Sequence, residues 1–269
     1  MTNTLGKFCG AGIAAALMVS ISFASLSMTA YAASQGAQEM YRLYNPNSGE
    51  HFYTAAEAER DNLEIQGWRY EGVGWVAPMK SNTPIYRLYN NNAGDHHYTM
   101  NAAERDGLVR VGWRYEGIGW YSDDSKAAPI YRQYNPHARS GAHNYTASVS
   151  ERDSLIRAGW RNENVGWYGL NVSTSQRNAL RQAKSYLEYS AFSYQGLIGQ
   201  LEYEKYSTAD ATWAVDHVGA DWNEQAARKA KSYLEFTPFS RDQLIGQLEY
   251  DQFTHAQAVY GVDHAGANW

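Results

Sequence analysis

The sequence predicts a multidomain α+β protein: a β-rich, pseudo-threefold repeat domain followed by an all-α domain of two three-helix repeats. Three observations predict it. Between residues 40 and 168 one pattern is written three times, as Tyr-Arg-x-Tyr-Asn, His-x-Tyr-Thr, Glu-Arg-Asp, Gly-Trp-Arg and Val/Ile-Gly-Trp. A different pattern is then written twice: Ala-Lys-Ser-Tyr-Leu-Glu at 183–188 returns at 230–235, and Leu-Ile-Gly-Gln-Leu-Glu-Tyr at 197–203 returns at 244–250, a period of 47. Between the two sets the apolar spacing changes from alternating to helical. Tyr41, Tyr86 and Tyr131 are 45 residues apart, while Trp113 and Trp160 are 47 apart because Ala138 to Ala142 contains a two-residue insertion. An insertion tolerated at that place marks a loop, so the units are structural modules.

Residues 1–32 combine Lys7, an apolar run from Ala11 to Met28 and the small residues of Ala30-Tyr31-Ala32. That is the pattern of a secretory signal peptide, expected to be cut after Ala32, which makes the protein secreted or cell-surface associated. A retained membrane anchor fits less well, because Ser20, Ser22, Ser25 and Ser27 interrupt the run and a span needs about 20 predominantly apolar residues. Cys9, the only cysteine, precedes the run, whereas a lipid-modified cysteine would follow it; no lipid anchor and no disulfide are expected. Stability must then come from apolar burial. Nine tryptophans supply it, all beyond the leader. Residues 39–170 carry 14 basic and 16 acidic side chains and residues 171–269 carry 8 and 12, which lacks the basic excess that nucleic-acid binding demands.

In the first module, residues 39–169, Tyr-Arg-x-Tyr alternates aromatic with other residues and leads into Asn45-Pro46-Asn47-Ser48-Gly49 or Asn90 to Gly94. A hairpin follows from that turn chemistry. Thr54, Thr99 and Thr146 precede good helix formers, so each is expected to cap a helix of about three turns, closed by Gly67, Gly112 or Gly159. The aromatic, β-branched stretch after each glycine reads as a third strand in which the further glycines allow a bulge. A single unit hides only one face of its hairpin, so three copies should close around an axis occupied by Trp75, Trp120 and Trp167. A trefoil-like closure is the first expectation and a three-bladed ring the competing one.

Three features could carry chemistry. His51, His96 and His143 recur at one place, preceded in two units by Glu50 and Asp95; repeat symmetry separates them, so local hydrogen bonding is expected and no metal or cofactor. Glu59-Arg60-Asp61, Glu104-Arg105-Asp106 and Glu151-Arg152-Asp153, near Arg42, Arg87 and Arg132, offer carboxylates. A glycan hydrolase needs two carboxylates in different environments, while threefold copies give equivalent ones. Ion pairs at the unit junctions are the better expectation, and no catalytic residue is assigned. Finally, Tyr44, Tyr89 and Tyr134 with Asn45, Asn90 and Asn135, together with the three histidines, lie near turns and could make three shallow ligand-binding sites.

Tyr41 to Ala55 and Gly67-Trp-Arg-Tyr-Glu-Gly-Val-Gly-Trp resemble a repeat family of uncharacterised function found in secreted bacterial proteins, often alongside cell-wall hydrolases. The resemblance spans nearly all of 40–168 and implies an accessory or wall-binding module.

Residues 170–176 read as a linker, 177–222 and 223–269 as helical repeats. Ala179, Ala183, Tyr186 and Leu187 follow amphipathic spacing. Ser193 and Ser240 are expected to cap a second helix, with Gln243 completing a capping box, and Ser207 and Thr254 a third that ends at Gly219 or Gly266. The short turn makes a helix-turn-helix-like unit, but the third helix of the first copy has two acids and no Lys or Arg, which excludes phosphate neutralisation. Asp216-His217 and Asp263-His264 are helix neighbours, about 100° apart, and do not form dyads. Lys184 to Ser193, Gly196 to Glu204 and Val215 to Trp222 resemble the repeat of host cell surface-exposed lipoproteins of the Ltp type. That resemblance implies a prophage-borne surface protein that excludes superinfecting phage; the missing anchor cysteine is the departure.

The combined expectation is a non-enzymatic, secreted surface protein whose aromatic repeats bind cell-wall glycan or another envelope component and whose helical pair contacts a protein partner. Phage superinfection exclusion, and a cell-wall hydrolase or its accessory subunit, are the alternatives.

Overall fold

The computed structural model describes residues 36–269; the expected leader at 1–32 lies outside the described residues. Each aromatic unit forms one three-stranded antiparallel blade. The first blade is β1 (Ala37–Tyr44), β2 (His51–Thr54), α1 (Glu57–Ile65) and β3 (Arg69–Pro78). The second is β4 (Pro84–Asn90), β5 (Asp95–Thr99), α2 (Ala102–Arg110) and β6 (Arg114–Tyr121). The third is β7 (Ala128–Tyr134), β8 (His143–Thr146), α3 (Val149–Arg157) and β9 (Arg161–Gly169). The first strand of each unit lies between the other two, giving the orders β2-β1-β3, β5-β4-β6 and β8-β7-β9. No sheet joins two units among the described residues, so the pseudo-threefold closure is a ring of blades rather than the barrel of a trefoil. The physical reason is that side chains, not ladder hydrogen bonds, close the axis.

Those side chains come from matched positions. Trp75, Trp120 and Trp167 have centroids 5.4 to 5.7 Å apart, and each tilts against the tyrosine of its own blade, Tyr53, Tyr98 or Tyr145. Met40, Ile85 and Ile130 complete this core with no exposure. The three tyrosines meet edge to face at 5.7 Å, a geometry the ring quadrupole favours. The second tryptophan of each unit does different work: Trp68 sits with Leu63 of α1 against Tyr41, Leu43 and Phe52, seating the helix on the outer face of the blade.

The helix caps differ from expectation. The cap positions are Ala56, Asn101 and Ser148, and only the last two accept side-chain capping bonds. Thr54, Thr99 and Thr146 lie two residues earlier, where their hydroxyls accept from the backbone N–H of those cap residues. Gly67, Gly112 and Gly159 end the helices at φ of +90°, +99° and +94°, and the following tryptophan N–H closes on the helix, Trp68 on the Leu63 carbonyl at 3.0 Å.

Strand β9 passes through a short bridge into α4 (Thr174–Tyr189), α5 (Tyr194–Tyr203) and α6 (Thr208–His217), followed by α7 (Trp222–Phe236), α8 (Arg241–Tyr250) and α9 (His255–Asp263). Helix α4 starts inside the expected linker and α7 starts at Trp222, because Ser173 and Asp221 provide the caps. Ser193, Ser207, Ser240 and Thr254 cap as expected, and the Ser240 box is closed by Gln243. Each repeat has its own core, Leu197, Leu201 and Val215 in one and Leu244, Leu248 and Val262 in the other. The first also receives Ala37 and Val76 of the first blade. Arg181 pairs with the buried Glu39 at 2.8 Å and Lys184 donates to the Ala37 carbonyl at 2.8 Å, so blade one is docked on α4. Among the described residues no helix is long and apolar enough to cross a membrane.

Candidate functional site

The blade junctions are assembled from the charged repeat positions. Between Met40 and Trp75 at one end and Leu43 and Tyr70 at the other, the β1–β3 ladder slips twice, which leaves Glu71 and Gly74 without register partners. A bulge aims such a residue out of the ladder, and Glu71 is brought 3.0 Å from Arg42 Nε. The other side of Arg42 meets Glu151 of α3 at 2.8 Å. The arrangement repeats around the ring: Arg87 is held by Glu116 at 3.0 Å and Glu59 at 3.1 Å, and Arg132 by Glu163 at 2.8 Å and Glu104 at 3.1 Å. The first residue of each Glu-Arg-Asp segment therefore reaches the next blade. Its arginine stays home, with Arg60, Arg105 and Arg152 lying 4.3 to 4.6 Å over Tyr41, Tyr86 and Tyr131.

Open clefts lie over these pairs. The one between blades three and one has a volume of about 530 Å³ and is lined by Arg42, Glu71, Gly74, Thr146, Ser148 and Glu151. Its counterpart between blades one and two, about 360 Å³, is lined by Arg87, Glu116, Gly119, Thr54, Ala56 and Glu59. Burial alone would raise the Glu71, Glu104 and Glu116 carboxyls, but hydrogen bonds from Arg69, from His97 with Thr99, and from Arg114 outweigh it, with Arg42, Arg132 and Arg87 beside them. All three are held below the usual range. The His143 hydrogen bond and Arg132 do the same for Glu163. These are ionised acceptors paired with cations, suited to hydrogen-bonding hydroxyl or amide groups and unsuited to delivering a proton.

The expected binding residues are brought together in part. His51 lies 2.9 Å from Arg42 Nη2 and 3.4 Å from Glu71, and burial followed by the Arg42 charge takes its imidazole down to about 4. His96 and His143 approach Glu116 and Glu163 at 3.5 and 3.3 Å. Tyr44, Tyr89 and Tyr134 pack on these rings at 4.7 to 5.1 Å, and Arg69, Arg114 and Arg161 lie over the same tyrosines at 4.9 to 5.9 Å. The asparagines do not join them: Asn45, Asn90 and Asn135 accept from backbone N–H groups of their own turns. Glu50 is buried, which raises its carboxyl, and it clasps the ring and backbone N–H of His96 at 2.6 and 3.0 Å. Asp95 accepts from Gly141 N–H at 3.0 Å in the same way. Among the described residues no cluster of His, Cys, Asp and Glu could hold a metal.

One junction breaks the symmetry. Phe52, His97 and Asn144 occupy one repeat position, and His97, 3% exposed, brings its Nδ1 to 3.4 Å from His143 Nδ1 while its Nε2 lies 3.1 Å from Glu104. Burial and the neighbouring His143 lower its imidazole against the pull of Glu104. The signal was present in the sequence, since this is the one position of the His-x-Tyr-Thr segment where all three copies differ.

In the helical module the Asp-His neighbours point apart. Asp216 accepts from Tyr194 Oη at 2.7 Å, while His217 stacks on Trp213 at 4.2 Å; Asp263 pairs with Arg241 at 2.8 Å, while His264 stacks on Tyr260 at 3.9 Å. The repeats meet at a seam in which Ser193 Oγ donates to the Asp251 carbonyl at 2.6 Å, beside a cavity of about 250 Å³ between Phe192 and Phe253.

Residues 39–170 match a family described as a domain of unknown function, DUF5648. Residues 174–218 and 221–265 each match the family described as host cell surface-exposed lipoprotein. Among solved structures, that of Ltp, a superinfection exclusion protein from the Streptococcus thermophilus temperate phage TP-J34, is 36% identical, with a TM-score of 0.34, over 35% of this chain and 97% of its own. No curated protein matches. The chain thus carries a DUF5648 domain followed by a tandem pair of repeats of the host cell surface-exposed lipoprotein family.

Proposed function

We propose that the protein is a non-enzymatic, secreted or surface-attached binding protein whose DUF5648 domain holds a polyhydroxylated envelope polymer, such as wall glycan, in the clefts between blades. One observation carries this reading: the same Arg-Glu-Glu cleft is built at successive blade junctions, with Gly74 or Gly119 in its lining. Repetition of a weak site on one rigid ring suits a polymer that repeats, because each further contact is intramolecular once the first has formed. Donors and acceptors fixed by mutual ion pairing suit sugar hydroxyls and amides. The depressed carboxyls favour binding over acid catalysis. The helical pair is assigned to contact with a protein partner.

Co-sedimentation of residues 33–269 with purified sacculi tests the reading. Retention is expected, and Gly74→Phe with Gly119→Phe, which set a ring in each cleft beside Arg42 Cβ and Arg87 Cβ, should abolish it. Full recovery of the unsubstituted protein in the supernatant would overturn it.

A second reading, exclusion of superinfecting phage at the envelope, is favoured by the match of both helical repeats to the surface-exposed lipoprotein family. It predicts that cells displaying the full chain adsorb phage normally yet admit less phage DNA. Unchanged DNA entry would remove it.

A further inference from the structure

Each helical repeat has two faces that can mate, and one chain uses only half of them. At the seam, the α4–α5 turn of the first repeat (Ala191, Phe192, Ser193) meets the α8–α9 turn of the second (Tyr250, Asp251, Phe253). The period of 47 maps these segments onto Pro238, Phe239 and Ser240 in the second repeat and onto Tyr203, Glu204 and Tyr206 in the first. Burial follows mating. Ser193 is 2% exposed and Phe253 4%, whereas Ser240 and Glu204 are exposed and Tyr206 half-buried. Tyr203 and Phe236 give no such contrast: they stand 78% and 85% exposed, and their counterparts Tyr250 and Tyr189 stay 83% and 85% exposed beside the mated seam.

The open faces keep the features of the mated ones. Lys205 has the left-handed backbone of Gln252, with φ of 74° and 68°, so the carbonyl of Glu204 is carried on the same turn as that of Asp251. Ser240 caps its helix as Ser193 does. Departures at this turn include Pro238, Arg241 and Gln243 in place of Ala191, Tyr194 and Gly196. A Cβ at Gly196 would lie 3.8 Å from the Asp251 carbonyl, an ordinary contact, and 2.9 Å from Ser193 Oγ, so that the hydroxyl must shift. In the second repeat Ser240 Oγ accommodates the side chain, accepting from the Gln243 N–H at 3.3 Å, and the Gln243 amide is turned back onto the Ser240 N–H. The first blade docks through Arg181 and Lys184 of α4 and leaves residues 203–205 exposed.

We propose that a second copy of this chain continues the seam: the α7–α8 turn of one molecule docks on the α5–α6 turn of the next, with Ser240 Oγ donating to the Glu204 carbonyl. The two faces differ, so the contact is head-to-tail and the assembly grows into chains rather than stopping at a twofold dimer. On a cell surface this would string many DUF5648 rings along one track.

Sedimentation velocity of residues 33–269, which form one compact unit, tests this without any envelope material, so its result is separable from that of the sacculus experiment. The weight-average mass should rise between roughly 10 μM and 1 mM, the weak range for so small a contact. Glu204→Arg and Pro238→Arg, on the two open turns at positions whose counterparts Asp251 and Ala191 line the seam, should each hold the protein monomeric with unchanged circular dichroism, since both positions are exposed and neither side chain makes a helix-cap hydrogen bond. Mixed together they should form one-to-one dimers and nothing larger, because each keeps the face the other lacks. A monomer at every concentration, or variants that fail to complement, would overturn the proposal.

Discussion

Tyr53 and Tyr145, from blades one and three, are joined twice through one hydroxyl: Tyr145 N–H donates to Tyr53 Oη at 3.0 Å and that hydroxyl donates to the Tyr145 carbonyl at 2.9 Å. Tyr98 N–H and carbonyl meet Tyr145 Oη in the same way, and Tyr53 N–H donates to Tyr98 Oη. The hydroxyl thus supplies a backbone partner where no strand of the next blade is present. Tyr53→Phe keeps the ring and leaves a buried N–H and carbonyl without it, which should cost about 2–4 kcal/mol. Urea denaturation would show this; a loss near that of the outer Tyr86→Phe would mean the ring packing, not the hydroxyl, closes the axis.

Arg87 is the shared cation of its junction, so its removal sets Glu59 and Glu116 against each other across the cleft. These groups are 14% to 34% exposed, and solvent screening reduces the expected loss to about 1–3 kcal/mol for Arg87→Ala. Glu59→Gln should cost less, since Glu116 remains. A double-mutant cycle between Arg87 and Glu59 that returned no coupling would show that the pair is not formed in solution.

Trp75, Trp120 and Trp167 could be placed on the axis from the repeat alone, because symmetry and size leave few other occupants for the centre. The junction ion pairs were legible for a related reason: Arg42 of the first unit and Glu151 of the third are 109 residues apart in the chain but adjacent once three units close. What the sequence hid is directional. A bulge is needed to aim Glu71, and nothing in the spacing distinguishes Thr54, which looks like a cap, from Ala56, which occupies the cap position. Asn45 looked free to bind because its own turn's demand for its side chain appears only when the backbone is closed. The helical module was read almost to the residue, since capping and amphipathic spacing are local.

His97 and His51 make stability depend on pH. Both imidazoles are lowered in the fold, so below about 6.5 the unfolded chain takes up protons that the folded chain refuses. Their contribution is complete above that pH and is lost as pH falls toward the folded values, at up to ~1.4 kcal/mol per unit for each histidine. Glu71, Glu116 and Glu163 act lower, present above about 4.5 and lost as pH falls through their depressed values. His97 is faced by Glu104, His143, Arg132 and Tyr145. His97→Asn, the residue of blade three, should flatten the melting temperature between pH 6.5 and 5 while Glu104 keeps Arg132 and Thr99. An unaltered slope would show that His97 takes up its proton without resistance.

Gly72 tests the bulge that aims Glu71. Its φ is +96° and that of its counterpart Gly117 is +104°, while blade three solves the same turn with Asn164 at +65°. Space does not decide these positions, because a Cβ at Gly72 or Gly117 would meet nothing within 4 Å. Backbone conformation does. A β-branched side chain in the left-handed region is strained, whereas asparagine tolerates it, so Gly72→Val should cost about 2 kcal/mol and Gly72→Asn less than about 1 kcal/mol. If the strain is relieved by straightening the bulge, Glu71 also leaves Arg42, and Gly72→Val should then weaken retention on sacculi beyond its effect on melting. Equal losses for valine and asparagine would show that the glycine serves chain entropy alone and that the carboxylate needs no bulge to reach its arginine.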